Sequence, residues 1–131
     1  MYSEEDLLEL VVESVTGLRD PELHRYTLEQ LGVVRESDIT LNHLPSGRPC
    51  IRVTFTPTAP HCSHAALIGL CIVYAILNVD SSLAYDVSVS AHSHRDSGQI
   101  NRKINDKEVV CAAMESPRLK PILLRLHNYS T

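Results

Sequence analysis

The chain has 131 residues and a formal net charge of −4, the size of a single domain (1–131) able to bury one core without metal or disulfide support. Acids and bases are spread along it, Trp is absent and Phe occurs once, which excludes a basic, aromatic-laced nucleic-acid surface. The longest apolar run, Ala65 to Leu77, falls short of the roughly 20 residues of a membrane span, and the acidic start Ser3-Glu4-Glu5-Asp6 is unlike a secretory signal.

Ser3 is the expected cap of a first helix, whose apolar stripe is Leu7, Val11 and Val15 with Leu8 and Val12, ending near Gly17. Asp20-Pro21-Glu22 reads as a turn. Thr27-Leu28-Glu29-Gln30 predicts a capping box on one helical turn closed by Gly32. Ile39 and Leu41, then Ile51, Val53 and Phe55, alternate with polar residues on either side of Pro45-Ser46-Gly47-Arg48-Pro49. That pattern predicts an antiparallel hairpin. After Thr56-Pro57-Thr58-Ala59-Pro60, the segment His61-Cys62-Ser63-His64 opens a second helix running to about Leu77, apolar nearly all round and therefore central. Tyr85, Val87, Val89 and Ala91 alternate as a third strand ending in His92-Ser93-His94. A third helix is expected from about Gly98 to Met114, and Ser116-Pro117 starts a fourth carrying Leu119, Ile122, Leu123 and Leu126. The order α-β-β-α-β-α-α predicts an α+β fold with a small mixed three-stranded sheet.

Strand two, helix and strand three form a crossover unit, so those two strands should be parallel. The helix then begins, and the third strand ends, at one rim. His61, Cys62, His64, His92 and His94 should meet there, with the segment Asn105-Asp106-Lys107-Glu108 on the helix that leaves it. Pro60, His61, Ser63, Asn105, Asp106, Lys107 and Glu108 are accordingly the candidate partner surface.

The four cysteines lie far apart without a CxxC, which points to reduced thiols. Cys62 stands at a helix start, where free N–H groups and the helix dipole favour a thiolate. The plain alternative is an inert capping-region thiol. Cys71 and Cys111 are expected in the core, and Cys50 starts a strand. Thiolate and imidazole suit zinc or iron, and His92 and His94 share a strand face. In a regular helix, however, Cys62 and His64 point about 200° apart. One thiol also falls short of the four that an iron–sulfur cluster ordinarily takes. Nucleotide-loop, G-x-S-x-G and H-E-x-x-H patterns are absent, although a Cys62 dyad with His92 or His94 is geometrically admissible.

Five segments together carry a resemblance: Asp20-Pro21-Glu22, Thr27 to Val34, Phe55 to Ser63, Leu67-Ile68-Gly69-Leu70 and Ile104 to Glu108. In that order, across almost the whole chain, they resemble the eukaryotic cytosolic iron–sulfur assembly component 2 family (MIP18-type, DUF59-like domain). Ile104-Asn105-Asp106-Lys107-Glu108 and Ala112-Ala113-Met114-Glu115 place the chain nearer its "A" type. The resemblance implies a non-enzymatic cytoplasmic adapter, with a nuclear pool also compatible. Members bind a β-propeller (WD-repeat) subunit, some also a helical-repeat scaffold, and help deliver clusters to client apoproteins, with a link to chromosome segregation. The family's reactive cysteine falls on Cys62 and its Gly-Thr-His histidine on His94. It implies no tightly bound cofactor, a cluster or zinc held at most transiently at Cys62, and compatibility with a homodimer; neither nucleic acid nor membrane is expected as a partner. The chain departs from the family at His64, at Val73, Ala75 and Val109 where basic residues are common, at Ser97-Gly98, and in a long polar N-terminal extension that is missing or trimmed. The apolar replacements suggest an altered partner surface. The competing expectation is a metal- or thiol-dependent enzyme or cluster carrier using Cys62 with the rim histidines.

Overall fold

The computed structural model describes residues 3–20, 25–57, 62–90, 101–102, 104–117 and 121, with backbone alone at 62–64, 107, 109, 113 and 114. Ser3 Oγ accepts from the Asp6 amide at 3.2 Å and starts helix α1 (Glu4–Thr16). Leu7, Val11 and Val15, one side of the helix, are its buried residues. The predicted capping box at 27–30 is present in both directions. Thr27 N donates to Gln30 Oε1 at 2.9 Å, and Gln30 N donates to Thr27 Oγ1 at 3.1 Å. Gly32 closes that turn at φ +72°, a left-handed conformation that a side chain would strain. Leu28, whose amide donates to Leu18 O at 2.8 Å, ties the turn to the end of α1 and is itself buried.

The hairpin forms as expected. Strands β1 (Ile39–His43) and β2 (Pro49–Phe55) pair antiparallel, with Ile39 opposite Val53 and Leu41 opposite Ile51. Strand β3 (Ala84–Val89) adds parallel to β2, with Ile51 opposite Tyr85 and Phe55 opposite Val89, in the sheet order β1-β2-β3. Ile51, Val53, Phe55, Val87 and Val89 are buried, whereas Arg52 and Thr54 on the other side of β2 are exposed. Helix α2 (Cys62–Val79) makes the crossover from β2 to β3. It buries Ala65, Ile68, Cys71, Ile72, Val73, Ala75 and Ile76, positions that cover most of its circumference. This is the central helix that the apolar pattern demands. Val73 and Ala75 are fully buried, so as core residues they cannot alter a partner surface in the way their departure from the family pattern suggests. No helix among the described residues is long and apolar enough to cross a membrane.

The third predicted helix is divided. Residues 101–102 and 104–105 are helical, and a second helix, α3 (Lys107–Glu115), starts after Asp106. Asp106 Oδ1 accepts from the Glu108 amide at 2.9 Å, which caps α3 and explains the break. The predicted fourth helix lies outside the described residues apart from Ser116, Pro117 and Pro121.

Where α2 meets this segment, Gly69 is required by closeness. A Cβ there would lie 2.3 Å from Ile104 Cδ1 and 2.8 Å from Ile104 Cγ1, and Ile104 is itself buried. Gly69→Ala should therefore cost about 1–3 kcal/mol through overpacking, more than its gain in helix propensity returns. In an Ile104→Ala background the same change should be neutral or stabilising. A double-mutant cycle in urea reads this directly, and additive effects would show that Ile104 moves aside freely.

Candidate functional site

The two parallel strands end together: Phe55 and Val89 are in register, and the Ser90 amide donates to Phe55 O at 2.8 Å just beyond them. On the other side of β2's end, the Thr56 amide donates to Val33 O at 2.8 Å. Helix α2 opens at Cys62, after the connection that leaves this carboxyl end of β2, with Ser63 and His64 in its first turn. Cys62 thus occupies a helix N-terminus, where unpaired backbone N–H groups favour negative charge. Pro60, His61, His92 and His94 lie outside the described residues, as do the side chains of Cys62, Ser63 and His64. The rim constellation therefore lies outside the described residues. Among the described residues, no three His, Cys, Asp or Glu side chains are grouped as a metal would need.

The residues of the 105–108 segment do different things. Asn105 is half-buried, and its amide is committed to β3: Val87 N donates to Asn105 Oδ1 at 2.9 Å, and Asn105 Nδ2 donates to Val87 O at 2.7 Å. Asn101, which the sequence did not single out, accepts from Val89 N at 2.7 Å and offers its own carbonyl to Asn105 Nδ2 at 2.8 Å. Two amide side chains thus close the outer edge of β3 where a fourth strand would otherwise pair. Asp106 caps α3, Lys107 begins it, and Glu108 is exposed in its first turn.

The other three thiols are free and sort by environment. Cys71 is buried in α2, and burial, with the charge of the fully buried Asp20 adding to it, pushes its pKa up to about 12. Cys50 is buried at the start of β2; its pKa is raised by burial and then by Asp86, against the opposing pull of Arg52 and Arg48. Cys111 does not lie in the core as expected. On α3 it is Val110 that turns inward, and Cys111, about 100° further round, is exposed. Cys50 and Cys111 line a cavity of about 480 Å3 with Tyr85, Asp86 and Arg52, at the amino end of the parallel strands and so opposite Cys62. Tyr85 has a raised pKa there from partial burial, then from Cys111 and Asp106. Nothing in the local sequence marks this cleft, because its walls come from β2, β3, α2 and α3.

The class of protein is a small α+β domain whose crossover helix opens with a cysteine at the carboxyl end of two parallel strands. A scan against protein-family models finds no match. Curated proteins do match. AE7-like 1 of Arabidopsis thaliana is 44% identical over 115 residues, 86% of this chain and 71% of the relative. A MIP18 family protein of Caenorhabditis elegans is 42% identical over 110 residues, 83% of this chain and 68% of the relative. A Dictyostelium discoideum protein named cytosolic iron-sulfur assembly component 2B is 40% identical over 116 residues, 88% of this chain and 66% of the relative. The chain belongs to the MIP18 family.

Two outcomes follow from these contacts. Asn105→Ala leaves the N–H and C=O of Val87 unpaired, so stability should fall by about 1–3 kcal/mol, with faster hydrogen exchange at the Val87 and Val89 amides than elsewhere in the sheet. Unchanged exchange at both amides would remove Asn105 from that role. Cys71, with its folded-state pKa raised from 9.0 to about 12, contributes stability that is complete below pH 9 and lost as pH rises towards 12. Between pH 8 and 10 its share of the loss should be about 1.4 kcal/mol. Urea unfolding of wild type and Cys71→Ala at pH 8 and 10 isolates that share, and equal losses in the two proteins would contradict it.

Proposed function

We propose that this chain is a non-enzymatic adapter of cytosolic iron–sulfur protein assembly that helps deliver clusters to client apoproteins. The observation that carries the reading is the 40% identity, over 88% of this chain, to the Dictyostelium protein named cytosolic iron-sulfur assembly component 2B. The position of Cys62 supports it. A cysteine at the amino end of a central helix stands where free backbone N–H groups and the helix dipole favour negative charge, as a transient ligand to a cluster or zinc requires. Neutral imidazoles of His61, His64, His92 and His94 would complete such a shell, and an incoming client or a second chain would supply what one thiol lacks. The partner in this reading is a WD-repeat β-propeller, with a helical-repeat scaffold beside it, and the chain works in the cytoplasm. Any effect on chromosome segregation follows from the clients served.

The test is affinity purification of tagged wild type and Cys62→Ala from cytosol, with identification of co-purifying proteins and measurement of iron in client enzymes. A WD-repeat protein should accompany both forms, since Cys62→Ala removes no large apolar group. Client iron should recover only with wild type. Absence of a WD-repeat partner, or full recovery by Cys62→Ala, would count against the reading.

A further inference from the structure

Away from the Cys62 rim, α1 and the start of β1 enclose a groove of about 930 Å3. Leu8, Val12 and Ile39 form its apolar floor, and Glu5, Glu9 and Glu13 stand along one wall, with Glu36 also lining it. The geometry points to this groove as the docking site of a cationic, extended segment of a partner protein. Three observations converge on that occupant. Glu5, Glu9 and Glu13 recur at every fourth residue, so they share one side of α1, and α1 contains no basic residue at all. Like charges at this spacing repel, and the free helix carries that repulsion without internal relief. Arg35 is the one cation among the described lining residues.

The second observation is that β1 is an edge strand, and its first residues, Ile39 and Thr40, line the groove. Its outer edge has no backbone partner among the described residues. A segment pairing there would gain main-chain hydrogen bonds and direct alternate side chains over Leu8, Val12 and Ile39. The third is charge. A second copy of this chain, net −4, would bring a like-charged wall against the wall of glutamates, whereas lysine or arginine side chains would meet it favourably. The inference stands on the groove and does not require cluster delivery.

The probe is a fluorescent peptide of alternating lysine and valine, followed by anisotropy against the full chain at physiological salt. Wild type should bind it saturably, and Glu9→Lys/Glu13→Lys should weaken binding by about tenfold or more. Glu29→Lys/Glu115→Lys makes the same change in net charge on residues outside the groove and should leave binding intact. The peptide N-methylated at alternate residues should bind neither form. Amide chemical-shift changes in wild type should fall on α1 and on residues 35–41, a measurement that stands even if a variant fails to fold. The proposal is overturned by equal weakening in both double variants, by shifts centred elsewhere, or by undiminished binding of the N-methylated peptide. A concentration-dependent dimer abolished by Glu9→Lys/Glu13→Lys would overturn it in favour of a second copy.

Discussion

The missing side chain at Gly69 sets how closely α2 can approach the segment around Ile104, and much of the domain's outer layer depends on that distance. With Ile104 seated against the helix backbone, Asn101 and Asn105 are held beside β3. The match between the two elements is metric. Four helical residues rise about 6.0 Å and two strand residues about 6.6 Å. Side chains at 101 and 105 can therefore serve Val89 and Val87 together. Asp106 then ends the segment and starts α3, so one short stretch packs the helix, seals a strand edge and launches the next element.

Local chemistry was legible in the sequence where partners are near neighbours. The Ser3 cap, the reciprocal Thr27–Gln30 box and the alternation of Ile51, Val53 and Phe55 involve residues at most a few positions apart. The crossover was legible too, because an all-round apolar helix between two alternating strands has few other places to go. What was not legible is non-local. Asp106-Lys107-Glu108 reads equally well as helix interior or as a cap with its first turn. The amides of Asn101 and Asn105 acquire their role only once β3 lies beside them. Cys111 reads as core in an apolar stretch, but the short helix α3 turns Val110 inward and leaves Cys111 exposed. Of the candidate site, Cys62 was placed correctly at the start of α2, Asn105 proved to be committed to the sheet, and the histidines lie outside the described residues.

The same all-round burial of α2 separates the thiols. Cys71, nine residues after Cys62 on one helix, is enclosed and near the buried charge of Asp20, both of which hold it protonated. Cys50 is restrained in the same direction by burial and Asp86. The structure therefore discourages thiolate chemistry in its interior. Cys111 is exposed, but it lies across the domain from the amino end of α2. The amino end of α2, where a helix dipole favours negative charge, lies apart from all three.

A three-stranded sheet has two outer edges, and this one treats them differently. At β3, asparagine amides satisfy the N–H and C=O of Val87 and the N–H of Val89, so a further strand would have to displace three side-chain hydrogen bonds before making its own. At β1 no such contact exists among the described residues, and the neighbouring helix contributes carboxylates and an apolar floor instead of a cover. An edge left open by neglect would invite pairing with any exposed strand, including another copy of itself. The glutamates bias that choice: they admit cationic segments and repel anionic ones, the chain's own acidic surface among them. Closure at one edge by hydrogen bonds and selection at the other by charge give the domain a single polarity for strand addition, at β1 and not at β3.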